Sequence, residues 1–293
     1  MARTRHPVLS VLIGLAIIFF VFLLGVVLLS MLAGGRGSIA FSDQVAVIPI
    51  HGVIDDAQAV VDQLYEYRDH RMVRAIILHI DSPGGGVGPS QEIYREVRKV
   101  GQAKTVVASV GSMAASGGYY VACAAEKIVA NPGAITGSIG VIMEYANAQE
   151  LLAKIGLKGE VVKSGKYKDI LSPLREMTEE EKAVIQRVTD DIHGQFISAV
   201  AEGRAMERSS VETVADGRIF TAAQAKELGL VDTLGTLRDA VALAADMAGI
   251  EGEPGILYPE EERSLLDLLV GKASLHIDNL LWIPYRFSYL FAS

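Results

Sequence analysis

The pattern of apolar and polar positions divides the chain into stretches of different character. Residues 8–32 form an almost unbroken apolar run, with no charged residue between His6 and Arg36. At about 1.5 Å per residue such a run makes a helix roughly 37 Å long, enough to cross a hydrocarbon core of about 30 Å with some tilt. It exceeds the roughly 7 to 15 apolar residues of a cleaved signal peptide. Ser30-Met-Leu-Ala-Gly-Gly35 also lacks a clean small-x-small cleavage site. The pattern therefore predicts an uncleaved anchor over residues 8–33 behind a cytoplasmic tail, residues 1–7, in which Arg3 and Arg5 hold the N-terminus inside and send the remainder across. Residues 34–43, rich in glycine and serine, read as a tether.

From residue 44 onward, apolar β-branched runs alternate with helical patterns. Strands are predicted at 45–50, 73–80, 105–110 and 158–163, with short ones about Ile128 and Val141; helices are predicted at about 56–68, 89–100, 114–125 and 148–155. This alternation, with strands apolar on both faces, predicts an α/β domain with mostly parallel, buried strands. After Pro173 the pattern becomes helical. Thr178-Glu-Glu-Glu181 opens a long amphipathic helix to about Arg204, with Thr178 and Glu181 spaced as a capping box and an acidic first turn that suits the helix dipole. Helices at about 221–228 and 236–248 follow, and the globular domain so read covers residues 44–250. Residues 251–293 form an apolar, aromatic tail with Trp282, Tyr285, Phe287, Tyr289 and Phe291 beside Arg286. Such a composition fits a membrane interface; docking on the tail's own domain or on a neighbouring subunit fits it equally.

Composition then removes several function classes. Of 293 residues, 50% are hydrophobic and 21% charged, so the chain can bury a sizeable core. A formal charge of −8 and an isoelectric point near 5.3 leave no basic surface to neutralise phosphates, which argues against nucleic acid as a partner. Cys123 is the single cysteine, excluding an intramolecular disulfide and any cysteine-rich metal site. Neither a His-Glu-x-x-His zinc motif nor a phosphate-binding P-loop is present, and the reading calls for no metal and no organic cofactor.

Candidate chemistry gathers in three segments. Asp81-Ser-Pro-Gly-Gly-Gly86 follows a buried strand, where glycines let backbone N–H groups point into a crevice. Gly111-Ser-Met-Ala-Ala-Ser-Gly-Gly-Tyr-Tyr120 also follows a strand and opens a helix, so that Ser116 sits where the helix dipole and free amides favour an oxyanion. The third, Lys163-Ser-Gly-Lys-Tyr-Lys-Asp-Ile-Leu-Ser-Pro173, is a polar joint with three lysines. A lysine acts as general base when burial or a nearby cation lowers its pKa. Spacing alone does not choose among Lys163, Lys166 and Lys168. For a Ser-His-Asp alternative the histidines are His79, within an apolar strand, and His193, on the long helix.

Taken together, these segments resemble the signal peptide peptidase A family in its short single-domain form. The matching motifs occur in the family's order: Asp81-Ser-Pro-Gly-Gly-Gly86, Ser112-Met-Ala-Ala-Ser-Gly-Gly-Tyr-Tyr120, Thr136-Gly-Ser-Ile-Gly-Val-Ile-Met143 and Lys168-Asp-Ile-Leu-Ser-Pro-Leu-Arg-Glu-Met177. Asp216-Gly-Arg-Ile-Phe-Thr221 and Ala225-Lys-Glu-Leu-Gly-Leu-Val-Asp232 extend the resemblance to about Ala248. It implies an α/β fold of the Clp protease and crotonase type, built of repeated ββα units with a helical C-terminal half. It further implies a serine endopeptidase in which Ser116 is the nucleophile, Lys168 the base, Gly85 and Gly117 the oxyanion donors, and Ser164 a group that orients the lysine. Family resemblance also implies a ring-like homo-oligomer with each site shared between neighbouring subunits, hydrophobic signal-peptide substrates, and a domain outside the bacterial cytoplasmic membrane. Three other readings compete: a stomatin-associated Ser-Lys membrane protease, a crotonase-fold acyl-CoA enzyme, and a non-catalytic scaffold.

Overall fold

The computed structural model describes residues 14–15, 17–25, 43–259 and 287–290, in a chain of two units, Met1–Ser42 and Asp43–Ser293. In the first unit the described residues are helical. The anchor expected over residues 8–33 lies mostly outside the described residues, and among those described no helix is long and apolar enough to cross a membrane. Most of the tether expected over 34–43 lies outside them as well.

The second unit opens with the alternation its sequence predicts. In order come β1 (Gln44–Ile54), α1 (Gln58–Asp69), β2 (Val73–Gly86), α2 (Val87–Val100), β3 (Thr105–Ala115), α3 (Gly117–Ala122) and β4 (Lys127–Ala130). Next are β5 (Ile135–Gly137), β6 (Ile142–Met143), α4 (Gln149–Lys154), α5 (Glu179–Gly203), α6 (Arg208–Glu212), β7 (Ile219–Thr221) and α7 (Ala222–Glu227). The last described elements are β8 (Thr233–Leu234), α8 (Leu237–Met247), β9 (Gly255–Leu257) and β10 (Phe287–Leu290).

One mixed but mainly parallel sheet joins the strands. The order β9-β1-β2-β3-β4-β8 is parallel throughout. Beyond its carboxyl ends, β5 continues parallel to β3 and pairs antiparallel with β7, while β10 runs antiparallel to both β2 and β6. β9 and β10 thus carry the sheet past residue 250.

Side chains alternate across the strands into two apolar layers. Ile76, Leu78 and Ile80 of β2 face a cluster completed by Leu64, Ile93, Tyr119, Phe196 and Val200, from α1, α2, α3 and α5. Ala75 and Ile77 face the opposite way, against Ala240, Val241 and Ala244 of α8. Both faces being covered explains why these strands are apolar at successive positions. At the start of α5, Thr178 Oγ1 accepts from the Glu181 N–H (3.2 Å) and a Glu181 carboxylate oxygen accepts from the Thr178 N–H (2.9 Å), the reciprocal cap its sequence announces.

The structure corrects two of the predicted elements. Residues 158–163 form no strand; they are irregular and exposed, with Val162 fully open and no described strand paired with their backbone groups. The helix expected over 114–125 is shorter, Gly117–Ala122, because β3 runs on through Ala115 in register with β5.

Candidate active site

The sheet brings the two glycine-rich segments to one point. β3 follows β2 as far as Ser82↔Ala114, then keeps to β5 until Ala115↔Gly137. There the chain reverses at Ser116, with φ 52° and ψ −117°. A non-glycine residue held at positive φ of this kind costs about 1–3 kcal/mol, so the surroundings have to impose it. They do so through the Ser116 N–H, which donates to the Gly137 carbonyl (2.9 Å), and the Ser116 carbonyl, which accepts from the Tyr120 N–H (2.8 Å). α3 is pinned in turn: the fully buried Tyr119 donates its hydroxyl to the Leu230 carbonyl (2.9 Å), and the Tyr120 ring packs on Tyr94 and Phe196. Burial pushes both phenols up, Tyr120 to about 12, so they remain neutral. Ser116 is thereby fixed at a strand-to-helix corner, with 1% of its surface exposed.

Small residues let β2 close on this corner. A Cβ added to Gly117 would lie 2.6 Å from Ser90 Oγ and 3.0 Å from the Gly85 nitrogen, and one added to Gly118 would lie 2.8 Å from the Ser82 carbonyl oxygen. Gly85 is itself pressed on β1, where its Cβ would fall 2.0 Å from the Ile54 carbonyl oxygen. Ser82 fixes the turn from within, donating to the Gly52 carbonyl (2.6 Å) and accepting from the Gly84 N–H (3.1 Å). Ser90 secures its far end by donating to the Gly86 carbonyl (2.9 Å). The backbones of Gly85 and Gly117 therefore meet beside Ser116.

The three lysines of the polar joint part ways. Lys163 pairs with Asp169 and donates to the Lys166 carbonyl, and Lys166 pairs with Glu180. Lys166 and Glu180 each favour their charged form through this contact: the lysine is pushed up and the carboxyl down. Lys166 is therefore not placed to give up its proton readily, and Lys163 is engaged by Asp169. Lys168 has no ion pair among the described residues and is exposed, as is Ser164. What holds the turn bearing Lys168 is a buried-sided cluster: Arg175 bonds both oxygens of Asp169 (2.9 and 2.8 Å) and both oxygens of Glu181 (2.6 and 2.8 Å). The guanidinium holds Asp169 well below the ordinary carboxylate range and Glu181 at about 2. Within one chain no hydrogen bond links Lys168 to Ser116 among the described residues.

Both histidines are placed away from Ser116. Counting along β2 puts His79 on the face of Ala75 and Ile77, opposite to α3, where it lies edge-on to His51 with ring centroids 5.7 Å apart. Burial, then the neighbouring His51, pushes its pKa down. His193 lines a cavity of about 410 Å³ together with Gln186, Asp190 and Asp216, and Ser116 is not in that lining.

Sequence reasoning gave no role to Ser82, Asp169 and Arg175, although all three lie within its motifs, nor to Ser90, and it read Glu181 only as a cap. The capping signal of Glu181 did not reveal its tie to Arg175.

Comparison with known proteins gives the chain's family. The sequence model of Peptidase family S49 matches residues 98–251, a stretch holding both Ser116 and Lys168, and that of Clp protease matches residues 41–135. A putative protease of Synechocystis sp. is 48% identical over 198 residues, 67% of this chain and 72% of that protein. A putative signal peptide peptidase SppA of Enterococcus faecium is 36% identical over 216 residues, 69% of this chain and 63% of that protein. Protease 4 of Salmonella typhi is 34% identical over 236 residues, 77% of this chain and 38% of that protein. The parallel-dominated α/β sheet is consistent with the Clp protease match, and with these relatives the chain belongs to peptidase family S49, the signal peptide peptidase A serine peptidases.

Proposed function

We propose that the chain is a membrane-anchored endopeptidase that cuts remnant signal peptides and other short hydrophobic peptides, with Ser116 as nucleophile and Lys168 as general base. The observation that carries the reading is the Ser116 corner: a buried serine at positive φ, with the backbones of Gly85 and Gly117 closed against it. Ser116 Oγ attacks the scissile carbonyl carbon while its proton passes to the neutral Lys168 amine. The Gly85 and Gly117 N–H groups donate to the oxyanion. Collapse of the tetrahedral intermediate expels the amine, which takes the proton back from Lys168. Water, deprotonated by the same lysine, then attacks the acyl ester and frees the acid and Ser116. Ser164 accepts from the lysine and orients it.

A neighbouring copy supplies the lysine in this scheme. Two features support a shared site in a ring-like homo-oligomer: Lys168 is exposed on its own chain, and the stretch just before its joint carries exposed Leu151, Ile155, Leu157, Val161 and Val162. Packing against another subunit would cover that apolar surface and shut water away from the amine. The apolar run at residues 8–32 with Arg3 and Arg5 before it supports a single-pass anchor in a bacterial cytoplasmic membrane, with the peptidase domain on the outer side.

The test is complementation. Detergent-solubilised Ser116→Ala and Lys168→Ala chains should each lose turnover of an apolar fluorogenic peptide by about ten-thousand-fold or more. Mixed in equal amounts with subunit exchange, roughly a quarter of the sites regain both groups, and activity should return to that level. Turnover undiminished in either single variant would end the assignment.

A further inference from the structure

The formal charge of −8 is not spread evenly. At the amino ends of β1, β2 and β3, where His70-Arg-Met72 joins α1 to β2, a cavity of about 320 Å³ is lined by Arg68, Arg71, Arg74 and Lys104 against a single carboxylate, Asp69. Arg68 and Asp69 neutralise each other through two bonds of 2.7 and 2.8 Å. Lys104 Nζ donates to the carbonyls of Tyr67, His70 and Val73, each at 2.7 Å, which offsets the negative pole of α1 and fixes the turn. Two exposed cations remain. Arg74 meets Asp43 in one exposed contact of 3.3 Å, a pairing that contributes little in water. Arg71 has no ion pair among the described residues.

We infer that this cavity binds the phosphodiester of an anionic phospholipid headgroup, with Arg71 and Arg74 holding the phosphate and Lys104 as the fixed charge behind them. The inference rests on the membrane anchor proposed above. Chain connection favours lipid over a dissolved anion. Gln44, the first residue of β1, donates its N–H to the Met72 carbonyl (2.7 Å) and is in register with Val73, so the chain enters the sheet against the turn that carries Arg71. Ten residues, 33–42, separate the end of the apolar run from Asp43. A link of that length spans about 18 Å as a coil and about 40 Å at full stretch, which keeps the cavity of an anchored chain near the headgroups. Arginine suits the task, because its planar fork of donors matches two phosphate oxygens. Ser116 lies at the other end of the sheet: β3 climbs about 33 Å from Thr105 to Ala115, so substitutions at the cavity leave the reacting groups alone.

The test separates lipid contact from anchoring. The full chain is reconstituted into nanodiscs of phosphatidylcholine alone, or of phosphatidylcholine and phosphatidylglycerol in equal parts, and mass spectrometry reads how fast phenylglyoxal modifies each arginine. Arg71 should react about fivefold more slowly in the anionic discs, the factor that one cation gains at an anionic surface. Arg187, exposed on α5, should react alike in both. Salt at about 1 M, which cuts the screening length to about 3 Å, should narrow the Arg71 difference. Equal Arg71 rates in the two kinds of disc overturn the inference. So does the same protection by soluble glycerol phosphate in neutral discs, which would make the cavity a site for a dissolved anion. Flotation of the detergent-freed chain with vesicles judges the anchor on its own. Floating with neutral vesicles upholds the anchor whatever Arg71 does. A chain that floats only with phosphatidylglycerol vesicles, and stops doing so after Arg71→Gln with Arg74→Gln at an unchanged melting temperature, keeps the lipid site while the anchor reading falls.

Discussion

Gly117 and Gly85 are in contact through atoms that only glycine allows: a Cβ on Gly117 would stand 3.0 Å from the Gly85 nitrogen, and a Cβ on Gly85 would stand 2.0 Å from the Ile54 carbonyl oxygen. Side chains never approach backbone oxygen that closely, so Gly85→Ala has to push β2 away from β1. Displacing one oxyanion donor costs roughly 100- to 1,000-fold in kcat. We therefore expect Gly85→Ala to lower kcat on that scale while active-site titration still counts folded enzyme. A variant with native kcat would remove Gly85 from the site.

Acid should loosen the joint that carries Lys168. Glu181 drops from an ordinary 4.5 to about 2 beside Arg175, and Asp169 is depressed as well, so both carboxylates bind fewer protons folded than unfolded. Their contribution is complete above about pH 4.5 and is lost as pH falls toward about 2. Arg175→Met should lower the melting temperature near neutrality, and the gap from the unchanged protein should close across that acid window. A gap independent of pH would show that Arg175 acts by packing rather than charge.

Cys123 is fully buried, and burial raises its thiol to about 12. The thiolate, the reactive form, is therefore scarce and shielded. Iodoacetamide at neutral pH should leave the folded chain unmodified by intact mass and alkylate it once in denaturant. Rapid labelling without denaturant would mean that α3 opens, and with it the Ser116 corner.

Much of this site was legible because its parts are local. Ser116 is announced by a strand, a run of small residues and a helix, and Gly84–Gly86 by glycines after an apolar strand. The choice of Lys168 came only from family resemblance, since a lysine's role depends on what surrounds it in space. The pairings of Lys163 with Asp169 and Lys166 with Glu180 separate the three candidates, and no spacing encodes them. The absent strand at 158–163 failed for a related reason: β-branched residues signal strand propensity, but a strand also needs a neighbour. β10 lay furthest from reach, because its partners Gly84–Gly86 and Ile142–Met143 are more than a hundred residues away in sequence.

The three lysines offer the sharpest trial of the mechanism. Lys163 and Lys166 hold the joint through carboxylates, whereas Lys168 has no such partner among the described residues. Lys163→Met and Lys166→Met should shift the melting temperature and keep most of the turnover. Lys168→Met should do the reverse, abolishing turnover with an unchanged melting temperature. Lys168→Arg carries the argument one step further. Arginine preserves positive charge and length yet stays protonated at any working pH, so it can serve as a cation but never as a base. An inactive Lys168→Arg chain of normal stability identifies proton transfer as the task of that amine, and an active one would assign Lys168 to binding charge alone.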